Sequence, residues 1–136
     1  MTAMRDAGRA PSDLVVIEDG GFRFVEGPPD RAFMHTVDDA DRVLEACFSA
    51  GVALVLLYAP NLTPGFFDLS SGDAGAVLQK LRTYRIRLAV VCPEGSVRFS
   101  SRFSEMGAEE RRGDHFGLFS SGDAAREWLK LGWGTG

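Results

Sequence analysis

Residues 52–58 (VALVLLY) are apolar without a break. A run of this length suits a strand and is far too short for a membrane span, which takes about 20 residues. A strand with one wet face alternates apolar and polar side chains. An unbroken run is what a strand covered on both faces carries. Such a strand needs a layer on each side of its sheet, and this restricts the chain to an α/β arrangement.

Other strand-sized segments surround it. Residues 13–19 contain Leu14, Val15, Val16 and Ile17, and Gly20 and Gly21 end them. β-branched side chains favour the pleated conformation, and paired glycines turn the chain. Residues 22–25 follow at hairpin distance as a short antiparallel partner. Residues 87–92 stop at Pro93, and residues 115–119 complete the set.

Helical patterns lie between the strands. One opens at Thr36, with Asp39 three residues on as an acidic form of the capping box. Val37, Ala40, Val43, Leu44 and Cys47 then recur on one face, and Gly51 closes the helix. A second begins at Ser70, Ser71, Gly72 and Asp73, and its apolar face is Ala74, Val77, Leu78 and Leu81. A third, over 96–111, carries Phe99, Phe103 and Met106 on one side. A fourth starts at Ser121 and carries Ala124, Ala125, Trp128 and Leu129. The expected fold is therefore α/β: a mostly parallel four- to five-stranded sheet with an antiparallel N-terminal strand or hairpin, flanked by four helices. At 136 residues the chain is sized for one domain, expected over 13–131, with a flexible leader at 1–12 and a flexible tail at 132–136.

The formal net charge is −4, with Arg scattered and no basic run. Neither nucleic acid nor an anionic membrane surface is an expected partner, because both need a clustered positive footprint. Cys47 and Cys92 sit in apolar runs without CxxC spacing, which reads as buried, reduced thiols in a cytoplasmic protein. His35 and His115 are isolated, and two lone histidines make no metal site. Neither a GxGxxG nor a GxxxxGK[ST] motif is present, so no cofactor is expected. No serine has an identifiable base beside it, which argues against an enzyme. Arg82, Arg85 and Arg87 bracket the turn after the second helix and read as a solvated face. Arg98, Arg102, Arg111 and Arg112 are balanced by Glu105, Glu109 and Glu110. Phe66 and Phe67 read as core.

The motif Ser-Ser-Gly-Asp-Ala occurs twice, from Ser70 to Ala74 and from Ser120 to Ala124, each time where a helix is expected to begin. Helix capping accounts for both copies, since a hydroxyl can accept from the free first-turn N–H groups. A helix N-terminus also favours anions, so the first copy is a candidate for modification or anion contact.

The central segment has Phe66, Phe67, Asp68 and Leu69, then Ser70, Ser71 and Gly72, then Leu78, Gln79 and Lys80. It resembles a bacterial family known as the domain of unknown function numbered four-one-eight-zero, over most of the chain. More distantly, the chain is similar to STAS domains, the sporulation anti-sigma-factor antagonist type. Those domains also open with strands, then alternate helix and strand. Their Asp-Ser-Ser-Gly motif begins the second helix and places a phospho-acceptor there; this resemblance puts Ser70 at the acceptor position. Two positions differ from the motif: Leu69 stands where Asp would, with Asp68 one residue earlier, and Asp73 follows the glycine.

The function these features imply is a non-enzymatic protein-interaction or regulatory module acting through the start of its second helix. Asp68, Ser70, Ser71 and Asp73 would be the contact or phospho-acceptor residues. The expected partner is an unidentified protein, with a homodimer as a further arrangement. The alternative is a small-molecule or nucleotide-binding sensor using the crevice at the strand C-terminal ends.

Overall fold

The computed structural model describes residues 14–29, 31–68, 71–93 and 115–132. Five strands, β1 (Val15–Asp19), β2 (Phe22–Glu26), β3 (Leu54–Tyr58), β4 (Arg87–Val91) and β5 (Phe116–Phe119), form one sheet in sequence order. β1 and β2 are antiparallel, in register from Val15↔Glu26 to Asp19↔Phe22. Their two-residue turn, Gly20 and Gly21, has φ of +61° and +94°. Positive φ at both positions matches the twist of a tight hairpin, and glycine adopts it without a steric cost. The remaining pairings are parallel: Val25↔Val55, then Leu54↔Arg87 to Tyr58↔Val91, then Leu88↔Phe116 to Val91↔Phe119.

Three α-helices lie among the described residues: α1 (Ala40–Ala50), α2 (Asp73–Thr83) and α3 (Gly122–Gly132). Four helices were expected; the one placed over 96–111 falls outside the described residues, as do its Arg and Glu side chains. A 3-10 turn, Val37–Asp39, leads into α1. The Asp39 carboxylate accepts from the His35 N–H at 2.7 Å and the Thr36 N–H at 3.1 Å. These backbone bonds hold the Asp39 carboxyl below its ordinary pKa. α2 ends in a Schellman arrangement: Ile86 N–H donates to Leu81 O and Arg85 N–H to Arg82 O, each at 2.9 Å. Arg85 holds the left-handed position, with φ of +61°.

Alternation along the strands sends side chains into two cores. Val25, Val55, Leu57, Leu88 and Val90 pack against α1 and α2, where Val43, Leu44, Cys47, Ala74, Val77, Leu78 and Leu81 are buried. Phe22, Phe24, Leu54, Leu56, Ala89 and Val91 pack against Ala125, Trp128 and Leu129 of α3. β3 is the middle strand and feeds both cores, which is why its sequence is unbroken. Right-handed crossovers that all step in one direction put their helices on one face. α1 and α2 obey this and share a face.

Two expectations need correction. Ala124 is exposed, because the buried stripe of α3 is Ala125, Trp128 and Leu129, at i, i+3 and i+4. Arg87 is not on a solvated face. It opens β4, its guanidinium lies 3.8 Å from the centre of the Trp128 ring, and it donates to the Trp128 carbonyl at 2.8 Å. The side chain thus ties α3 to the sheet by stacking and hydrogen bonding. Cys47 and Cys92 are buried and unbonded, and burial pushes the Cys47 thiol up to about 12. Among the described residues no helix is long and apolar enough to cross a membrane.

Candidate functional site

β3 ends at Tyr58, and the chain turns through a short 3-10 helix, Ala59–Asn61, with Pro60 in its first turn. Asn61 has no exposed surface. Its Oδ1 accepts from the Tyr58 N–H at 2.7 Å. Its Nδ2 donates to the Pro28 carbonyl at 2.6 Å and the Arg31 carbonyl at 2.9 Å. The Asn61 carbonyl accepts from the Met34 N–H at 2.7 Å. One buried amide therefore fastens the loop after β2 to the end of β3. Gly27 makes room for it, since a Cβ there would stand 2.5 Å from Asn61 Oδ1.

The next segment runs to the start of α2. Phe66 and Phe67 are in the core, with ring centroids 5.2 Å apart. The buried Thr63 hydroxyl donates to Asp73 Oδ2 at 2.8 Å. The Ser71 hydroxyl has the Gly65 carbonyl at 2.6 Å and the Asp68 carbonyl at 2.8 Å as acceptors for its one proton. It also accepts from the Asp73 N–H at 3.1 Å. Ser71 is thus a clasp between the loop and the first turn, in the manner of a cap. At the second copy of the motif Ser121 Oγ accepts from the Ala124 N–H at 3.2 Å.

Of the residues singled out from sequence, Ser71 and Asp73 are brought together, and Asp68 joins them through its carbonyl. The Asp68 side chain is exposed. Ser70 and Leu69 lie outside the described residues. The Ser71 hydroxyl is directed at carbonyl oxygens, which orient a proton and do not remove it. Its arrangement does positional work.

Beside this segment is a cavity of about 620 Å³ at the C-terminal ends of β3 and β4. The loop after β2 contributes Ala32, Met34 and His35 to it, and the loop after β3 contributes Leu62, Thr63 and Phe67. The order of the described strands never reverses, so no topological switch point among them generates the crevice. Two pinned loops make it instead. Tyr58 also lines it, and its hydroxyl donates to the Glu26 carboxylate, which has Arg126 at 3.6 Å. Burial and the Glu26 charge push the phenol up to about 12. Among the described residues no group of three or more His, Cys, Asp or Glu side chains could hold a metal.

Asn61 and the Tyr58–Glu26–Arg126 cluster escaped the sequence reading. An Asn between Pro60 and Pro64 is a signal of a fixed loop, because such a loop needs a side chain to satisfy its backbone. Glu26 and Arg126 are far apart in sequence and carry no such signal.

No curated protein and no solved structure matches the chain. One family does, the Domain of unknown function (DUF4180), over residues 20–129. That stretch extends from the hairpin turn to the last buried residue of α3, and so takes in both cores and both loops around the cavity. The chain belongs to the DUF4180 family.

Proposed function

We propose that the chain is a non-catalytic regulatory module that binds a partner protein through the start of α2. The observation that carries this reading is Gly75. Glycine inside a helix costs about 1 kcal/mol relative to alanine. A Cβ at Gly75 would have nothing within 4 Å among the described residues, so their packing does not call for glycine there. Ser71, Gly72, Gly75 and Ala76 are all exposed. They form a surface poor in side chains, onto which the backbone of another chain can come close. The clasp at Ser71 and Asp73 holds that surface in place. The similarity to STAS domains supports the same end of the helix, with Ser70 as the acceptor position of a phosphate that would alter the contact.

The test separates stability from binding. Gly75→Ala raises stability by about 0.5–1 kcal/mol in urea unfolding. Gly75→Gln keeps the fold but obstructs the surface. Affinity capture with quantitative mass spectrometry identifies proteins retained by wild type and lost with Gly75→Gln. Ser70→Asp changes the affinity for the same protein. A partner retained equally by all three variants refutes the reading.

A further inference from the structure

We propose that the cavity at the C-terminal ends of β3 and β4 is a binding site for an uncharged, largely apolar small molecule. Its volume, about 620 Å³, lies within the range of pockets that enclose such ligands. Both walls are fixed before anything binds. Asn61 holds the wall that carries Ala32 and Met34, through its bonds to the Pro28 and Arg31 carbonyls. The Thr63–Asp73 bond and the Ser71 clasp hold the wall that carries Leu62 and Phe67. A preformed site spends little of its binding energy on ordering itself.

The lining chemistry selects the class of ligand. Met34, Leu62 and Phe67 offer apolar surface. Among the described lining residues none is Lys, Arg, Asp or Glu. A phosphate or sulfonate drawn into this space would lose water and meet no fixed cation among the described lining residues, a costly exchange. Nucleotides are therefore disfavoured. Tyr58 is engaged with Glu26, and the Thr63 hydroxyl already donates its hydrogen bond to Asp73. Among the described lining side chains, the remaining polar capacity is the Thr63 oxygen and the exposed His35, enough to orient one hydroxyl or carbonyl of a neutral ligand. The inference does not depend on the partner surface at α2. Gly75 and Ala76 do not line the cavity, so failure of either proposal leaves the other standing.

The probe is N-phenyl-1-naphthylamine, neutral and fluorescent in apolar surroundings, titrated into the full chain. Saturable binding of one equivalent is expected, displaced by 1-octanol and not by ATP. Ala32 is exposed on the cavity wall, so Ala32→Trp fills the space without removing packing. It should weaken the probe by about tenfold or more, with the urea midpoint unchanged. If Ala32→Trp does not fold, amide shift mapping on wild type decides: probe-induced shifts at Ala32, His35, Leu62 and Thr63 support the site. Absence of saturable binding, an unaltered affinity in a folded Ala32→Trp, displacement by ATP, or shifts confined to other segments each overturn the proposal.

Discussion

Replacing Asn61 by Asp changes one nitrogen to oxygen at a side chain with no exposed surface. One oxygen still accepts from the Tyr58 N–H, 2.7 Å away in the native chain. The other faces the carbonyls of Pro28 and Arg31, at 2.6 and 2.9 Å, and neither can donate. Two hydrogen bonds are lost and two acceptors are left facing a third. A buried polar group without its partner costs about 1–3 kcal/mol. The expected loss at pH 7 is therefore about 4 kcal/mol, a large share of the about 5–15 kcal/mol that holds a domain together. The new carboxyl is desolvated and surrounded by oxygens, so its folded-state pKa rises above the unfolded value of about 3.9. The folded state then binds the proton more tightly. The deficit against wild type shrinks as pH falls through the folded pKa, because the protonated acid can donate to one carbonyl. Urea unfolding at pH 7 and at about pH 5, with m-values compared, measures both effects. A loss below about 1 kcal/mol at pH 7, or a deficit that grows on acidification, would refute the placing of Asn61 as the fastener of this loop.

Arg85→Gly should stabilise the chain by about 1 kcal/mol, since glycine holds the left-handed position of the Schellman turn without strain; urea midpoints show it. Neither Cys47 nor Cys92 should react with an aromatic disulfide reagent in the native protein at neutral pH, whereas both react in urea. Asp39→Ala should cost about 1 kcal/mol at neutral pH. The folded Asp39 pKa is depressed, so its contribution is present above the unfolded pKa and is lost as pH falls through the folded one. Wild type and Asp39→Ala should thus converge in thermal melts at acid pH.

The sheet was legible because β2 to β5 carry their burial in their own composition, whereas the edge strand β1 is apolar in sequence yet leaves Val15 and Val16 exposed. The unbroken run of β3 announced two covered faces, and the glycine pair announced the hairpin. Ala74, Val77, Leu78 and Leu81 announced the buried face of α2 through their spacing alone. Arg87 was misread for a physical reason: charge in a sequence does not say whether an aromatic ring waits above it. The candidate site was legible only in part. Ser71 and Asp73 advertise a helix start, but the partners of Ser71 are carbonyls of Gly65 and Asp68, which no residue type encodes. The cavity belongs to two loops brought together by Asn61, and loop approach is a tertiary fact. Its walls read in sequence only as proline-rich connections.

The sequential order of the strands has a consequence for how the chain acquires its shape. Each strand lies beside the one made just before it, so the sheet can extend in the direction of synthesis, each new strand closing on its immediate predecessor. The two faces do not mature together. α1 and α2 arrive before β4 and can cover their side as the sheet grows. On the other side, Phe22, Phe24, Leu54, Leu56 and Ala89 pack against α3, the last described element to be made. Until Trp128 and Leu129 emerge and dock, no other described helix covers that row of side chains. A nascent chain halted before α3 would therefore present one finished face and one adhesive face, the state most exposed to aggregation and to chaperone capture.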